Sequence, residues 1–251
     1  MDAGELLQDR VASWFPATDT VGTLCGVIAV VGCDGSGKTR LAHDLVARLN
    51  RTRPSERRYM GLVSGETGDR IKKLPVIGTW LENYLARKVR RAQDMKKKVP
   101  GPFSAVVMYL FSLWRQFQLR RVIRASGNGT LIIAERYPQA EVPGFHYDGP
   151  GLDVNRSDNR LVQSLARREQ KLYDWMSEQK PGLIIRLNVD PVTAHMRKPD
   201  HPLQELRDKT RALTGMQYKG ARIYDIDAGQ PYQAVLDEAV RIAERYSAAN
   251  R

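Results

Sequence analysis

Apolar positions along the chain follow two periods that take turns. Val27 to Val31 is a short β-branched apolar run, and comparable runs recur at Tyr59 to Val63, Leu131 to Ala134, Gly182 to Val189 and Ala221 to Ile226. Each has the length of a strand and is bounded by turn residues or polar stretches. Between them the spacing lengthens to that of helices, from Leu41 to about Leu49, Asn159 to Lys180, Pro202 to Leu213 and Pro231 to Tyr246. Two further long helices are predicted between Trp80 and Arg124, separated by Pro100-Gly101-Pro102. In the first, Trp80, Leu81, Tyr84, Leu85 and Val89 make an apolar face; in the second, Phe103, Val106, Val107, Leu110, Phe111, Trp114 and Phe117 recur at helical spacing and read as core rather than as base-stacking platforms. Leu6, Leu7, Val11, Trp14 and Phe15 give a short helical spacing that ends before Pro16, so residues 1–22 are expected to form an N-terminal extension and 23–251 a single domain. Strands alternating with helices predict an α/β fold. Five parallel strands would be flanked by helices on both faces, with ligand loops outside the carboxyl ends of the strands.

The first of those loops carries a specific motif. Gly32-Cys33-Asp34-Gly35-Ser36-Gly37-Lys38-Thr39 fits G-x-x-x-x-G-K-[ST] and stands between the first strand and a helix, as a P-loop must. Gly32, Gly35 and Gly37 give the backbone conformations closed to other residues, so that successive N–H groups, those of Ser36 and its neighbours included, point inward at phosphate oxygens. Lys38 is placed to reach the β- and γ-phosphates of ATP, and the Thr39 hydroxyl to ligate Mg²⁺. The remaining loops singled out, Ser64 to Gly68 and the Pro- and Gly-rich segment Pro138 to Asn155 with Tyr137, His146, Tyr147 and Asp148, are expected on the same sheet edge.

Composition narrows the class. A length of 251 residues allows one large or two small domains. The formal charge of +12, with a pI near 9.8, suggests a polyanionic partner, with a solvated basic surface as the alternative. The charge is concentrated in the predicted helical pair over 80–125: Arg87 to Lys98 contains a single acid, Asp94, and Arg115, Arg120, Arg121 and Arg124 trail the second helix. The two cysteines, Cys25 and Cys33, are too few and too local for a disulfide framework, which points to a reducing, cytoplasmic setting. The acidic N-terminus is unlike a signal peptide, and the longest apolar patch, Phe103 to Trp114, is too short to span a bilayer.

Together the loop GCDGSGKT, the triplet Glu135-Arg136-Tyr137 ending a later strand, the RKPDH stretch after LNVDP, and the terminal DIDAGQPYQAVLDE resemble the thymidylate-kinase-like branch of P-loop kinases, in order from Gly26 onward. The resemblance implies a P-loop kinase fold and an ATP:acceptor phosphotransferase with a mobile lid, here over 193–203. It implies Arg197, with Lys198, as lid cations, Glu135 as the carboxylate near Mg²⁺, Arg136 as the residue holding the acceptor, and Asp227-Ala228-Gly229-Gln230 as the loop beside adenine. Three departures shift the expected acceptor. Glu135-Arg136 stands where the branch has Asp-Arg and looks like the pair of deoxynucleoside kinases, which phosphorylate a hydroxyl. Gly65-Glu66-Thr67-Gly68 replaces an Arg-Glu-Pro-Gly stretch that helps grip thymidylate. The predicted helical pair is longer and more basic than a small acceptor needs.

The favoured expectation is therefore transfer to a hydroxyl of a nucleotide, such as 5-hydroxymethyluracil in DNA, for which related phage kinases are a precedent. Glu66 and Asp34 are the candidate general bases. A monophosphate kinase acting on free nucleotides, a nucleotide-switched ATPase that binds nucleic acid or an anionic membrane, and a kinase with a carbohydrate or lipid-linked acceptor remain open beside it, as does the oligomeric state.

Overall fold

The computed structural model describes residues 22–61, 101–153 and 157–250. The predicted N-terminal helix, the Ser64 to Gly68 loop with Glu66, and the first, most basic helix of the predicted pair lie outside these residues. Five strands, β1 (Thr23–Gly32), β2 (Ser55–Tyr59), β3 (Leu131–Glu135), β4 (Lys180–Asn188) and β5 (Ile223–Asp227), form one sheet in the order β2-β3-β1-β4-β5, and every pair is parallel. The helices are α1 (Lys38–Leu49), α2 (Pro102–Gly127), α3 (Arg160–Glu178), α4 (Pro191–Arg197), α5 (Leu203–Gly215) and α6 (Tyr232–Ala249). The architecture is that of a P-loop α/β protein: a parallel sheet flanked by helices.

Sheet position explains which strands the hydrophobic pattern reveals. Val27, Ile28, Ala29 and Val30 of β1, the central strand, are completely inaccessible, as a strand covered on both faces requires. The edge strand β2 differs from expectation. It is the polar stretch SERRY, whereas the predicted strand begins at Tyr59 and ends in residues outside those described, and among the described residues it pairs only with β3, from Ser55 beside Leu131 to Tyr59 beside Glu135. Half-exposed on an edge, it needs no apolar run, so the pattern moved the strand toward the apolar residues that follow. Of these, Met60 is buried and donates its N–H to the Glu135 carbonyl at 2.9 Å.

α2 also departs from its predicted face. Val107 and Phe111 are buried with Ala105, Leu119 and Val122, but Phe103, Val106, Leu110, Trp114 and Phe117 are exposed, and Arg115, read as surface charge, is 1% exposed. Apolar residues encircle the first half of this helix, so spacing alone does not select the packed side. The choice is made by α3, β1 and β3, against which α2 packs. No helix among the described residues is long and apolar enough to cross a membrane.

Register fixes the functional edge. Val30 lies beside Glu135 of β3, and Gly32 beside Leu187 of β4, so β1 ends with the carboxyl ends of its neighbours close by. The loop Pro138 to Gly151 is held in place by Gln139. Its amide donates to the carbonyls of Val142 (2.7 Å) and Tyr147 (3.0 Å) and accepts from the N–H groups of Glu141 and Val142.

Candidate functional site

The segment Gly32 to Thr39 forms a loop from β1 into α1 in which Gly35 and Gly37 have φ of +86° and +88°. Gly35 is constrained twice, since a Cβ there would lie 2.5 Å from the Ala194 carbonyl of α4. Among the described residues no side chain caps the first turn of α1, whose amides therefore stay available to an anion at the positive end of the helix. Inside the loop Ser36 Oγ is buried with no hydrogen-bond partner. Buried polar atoms are ordinarily paired; an orphaned hydroxyl beside an uncapped helix start fits a loop shaped to receive oxygen atoms of a ligand.

Lys38 lies beneath the loop, 8% exposed, donating to the Cys33 carbonyl at 3.0 Å and to Asp34 Oδ1 at 3.4 Å. Burial pushes its pKa down to about 8, with Asp34 opposing the shift. Thr39 Oγ1 donates to Glu135 Oε2 at 2.7 Å, linking the first turn of α1 to the tip of β3 across 96 positions of sequence. Glu135 is fully buried, and its other oxygen accepts from Arg57 Nη1 of β2 at 2.8 Å. Among the described residues no three acidic, histidine or cysteine side chains gather as a metal cluster. One hydroxyl and one carboxylate nonetheless match Mg²⁺, which takes few protein oxygens and completes its shell with water and phosphate oxygens.

A second set of contacts surrounds Asp34. Its Oδ1 accepts from Arg136 Nη2 at 3.0 Å as well as from Lys38, and its Oδ2 accepts from Lys209 Nζ of α5 at 2.7 Å. Burial alone would raise the pKa of this carboxyl, but Lys209, Lys38 and Arg136 together hold it far below the usual range. Arg136, left-handed with φ 55°, turns out of the end of β3 so that Nη1 also approaches Asp148 Oδ1, at 3.7 Å. Asp148 is gripped in turn by Arg115 Nη2 at 3.0 Å, whose Nε donates to the Met60 carbonyl (2.9 Å) and whose Nη1 reaches Tyr173 Oη (3.2 Å). One polar chain thus runs from α3 through α2 and the 138–151 loop to Asp34.

The sequence-derived residues fall into two groups. Gly32, Gly35, Ser36, Gly37, Lys38, Thr39, Asp34, Glu135 and Arg136 are brought together at the carboxyl ends of β1 and β3. Arg197 and the Asp227 to Gln230 loop are joined to each other, and α4, which ends in Arg197, touches the Gly32 to Thr39 loop where Gly35 meets Ala194. Arg197 Nη1 donates to the Ala228 carbonyl at 3.0 Å, Ala228 N to the Asn188 carbonyl, and Asp227 Oδ1 accepts from Gly229 N, with Gln230 exposed. The predicted lid is divided: its first part is α4, capped by Asp190, whose carboxylate accepts from the N–H groups of Val192 and Thr193; its last residue, Leu203, opens α5. Tyr137 does not face the site, since it is buried and its hydroxyl donates to the Gln179 carbonyl.

Arg57, Lys209 and Arg115 escaped the sequence reading. Arg57 sits in a stretch that looks like a linker, and Lys209 and Arg115 occupy helical positions indistinguishable by spacing from solvated ones. One signal was available for Arg115: it stands four residues after Phe111 and four before Leu119, both on the packed side.

No protein-family model matches the chain. It is 50% identical over 214 residues to the uncharacterized ATP-binding protein YghR of Escherichia coli K12, an alignment covering 85% of each protein, and to the same degree to YghR of Escherichia coli strain CFT073. It is 42% identical over 215 residues to the uncharacterized ATP-binding protein YghS of Escherichia coli K12, covering 86% of this chain and 91% of that protein.

Proposed function

The chain belongs to the family of YghR and YghS, and on that premise we propose that it binds ATP in the Gly32 to Thr39 loop and transfers the γ-phosphate to a hydroxyl of a nucleotide acceptor. The observation that carries this reading is the convergence on one sheet edge of an uncapped phosphate loop, the Thr39–Glu135 pair, the buried cation Lys38 and the partly buried cation Arg136. In the transfer, the acceptor oxygen bonds to the γ-phosphorus, the bond from that phosphorus to the β–γ bridging oxygen breaks, ADP departs, and the hydroxyl proton passes to a carboxylate. Mg²⁺, bound by Thr39 and Glu135, would supply neutralising charge to the phosphates.

Lys38 neutralises charge on the leaving side, and Arg136, with both edges of its guanidinium directed at carboxylates, orients the acceptor side. A useful base has a pKa near the working pH. Asp34, kept ionised by three cations, is a weak one, so Glu66 takes the proton in this reading. The preference for a hydroxyl over a phosphate on the acceptor rests on Arg136, which is already committed to Asp34 and Asp148. We favour a modified pyrimidine such as 5-hydroxymethyluracil in DNA. A free nucleoside monophosphate is the second reading, supported by the burial of Arg115, which removes one cation from the surface that DNA would meet.

Incubation with γ-labelled ATP, Mg²⁺ and either DNA containing hydroxymethyluracil or free nucleosides and nucleotides tests the proposal. Label on DNA is the expected result. Label confined to free monophosphates selects the second reading, and ATP hydrolysis with no labelled acceptor overturns phosphotransfer in favour of a nucleotide-switched ATPase.

A pH dependence follows from Lys38, whose pKa is lowered from 10.5 to about 8. Its ammonium is present below pH 8 and lost above it, so affinity for a non-hydrolysable ATP analogue is expected to fall by up to about tenfold per pH unit above 8. Folding responds oppositely. Between pH 8 and 10.5 the unfolded chain holds a proton that the folded chain has released, so this group makes folding more favourable as pH rises. Calorimetric titrations from pH 7 to 9.5, beside thermal melts at each pH, check both signs.

A further inference from the structure

Lys209 is a buried ammonium with a partner that is itself part of the phosphate loop. It lies on α5, is 3% exposed, and donates to Asp34 Oδ2 at 2.7 Å, while Lys38 and Arg136 share Oδ1 at 3.4 and 3.0 Å. Lysine is among the residues least often buried, and a buried cation is costly unless fully paired. Here one carboxylate is divided among three cations. Among the described residues, the ion pairs around the loop join the cations Lys38, Arg57, Arg115, Arg136 and Lys209 to the carboxylates Asp34, Asp148 and Glu135, an excess of two positive charges. Such an excess in a largely buried site calls for an anion, and the uncapped start of α1 and the orphaned Ser36 hydroxyl lie in the same loop.

We infer that Lys209 is a second phosphate-binding lysine: Asp34 holds its ammonium beside the loop while no nucleotide is present, and the terminal phosphate of a nucleoside triphosphate takes that ammonium over. The inference rests on the proposed binding of ATP by the Gly32 to Thr39 loop. The two ammonium groups of Lys38 and Lys209 flank one carboxylate, a gap that a phosphate group, with oxygens on both sides, also fills. Asp34 then serves as the resident counter-ion of the site. Lys209 stands on the helix that follows the predicted lid, so its transfer would tie α5 to the presence of a third phosphate.

The test compares binding of a non-hydrolysable triphosphate with binding of ADP, by calorimetry, in the wild-type chain, Lys209→Met, Lys209→Arg and the double variant Lys209→Met/Asp34→Asn. A lost charge-assisted bond to the terminal phosphate predicts that Lys209→Met weakens triphosphate binding by about tenfold or more while ADP binding changes by less than about threefold. Lys209→Arg retains the discrimination, and the double variant still lacks it. Equal losses for the two nucleotides, or recovery of triphosphate discrimination in the double variant, would overturn the inference and leave Lys209 as a partner of Asp34 alone. If Lys209→Met does not fold, Lys209→Gln, which removes the charge while keeping a polar donor on α5 and leaves Asp34 paired with Lys38 and Arg136, decides by the same comparison. Failure of the wild-type chain to bind either nucleotide would overturn the proposed function and this inference together, whereas equal losses in Lys209→Met leave that function standing.

Discussion

Replacing Lys38 with alanine is expected to reduce ATP-dependent phosphoryl transfer by about a hundred- to a thousand-fold, the scale on which a single preorganised group facing developing charge contributes. The loss should fall on both nucleotide affinity and the rate of transfer, because the ammonium meets phosphate charge in the bound state and migrating charge during transfer. The fold should survive the change. Asp34 keeps Arg136 at 3.0 Å and Lys209 at 2.7 Å, and the substitution removes a cation whose burial already costs enough to depress its pKa to about 8. A melting temperature equal to or above that of the wild type, combined with the loss of turnover, is the expected pair of results. Undiminished ATP consumption in this variant would end the case for a nucleotide site at the loop.

The largest effect on stability is expected at Arg115, whose replacement by methionine should cost about 3–5 kcal/mol, as breaking a buried ion pair from one side does. Among the described residues Asp148 would keep only Arg136 as an ion-pair partner, at 3.7 Å, and the Met60 carbonyl would lose the donor 2.9 Å away. For a chain of this size the melting temperature should fall by roughly 10 °C. Arg121→Met on the exposed side of the same helix is the control, expected within about 0.5 kcal/mol of the wild type. Comparable small shifts for both substitutions would show that Arg115 is not the internal strut that its contacts with α3, Asp148 and Met60 describe. Arg136 leans on the same carboxylate, so the surviving folded fraction of Arg115→Met should also show impaired transfer.

The central strands and the phosphate loop were legible because they obey local rules. A strand covered on both faces must be apolar throughout, and a loop that surrounds phosphate with backbone amides must place glycines at fixed offsets before Lys38 and Thr39. Glu135 and Arg136 were legible by position, at the end of an apolar run and in a recognisable order. The edge strand SERRY was not, since a strand paired on one side carries no compulsory hydrophobic signature. The buried side of α2 is ambiguous for a related reason: with apolar residues on every side, its sequence permits several rotations.

What the sequence determined by itself is the order of strands and helices, the phosphate loop, and the chemical types gathered at the strand ends. These follow from periodicity and backbone sterics, which act over a few residues. Only the tertiary structure decided that Arg57 would meet Glu135, that Lys209 would reach Asp34 across 175 positions, and that Arg115 would turn inward to Asp148. The physical reason is that a long cationic side chain looks the same in sequence whether water or a carboxylate solvates it. Which of the two does so depends on what the sheet order and helix packing bring within hydrogen-bonding distance.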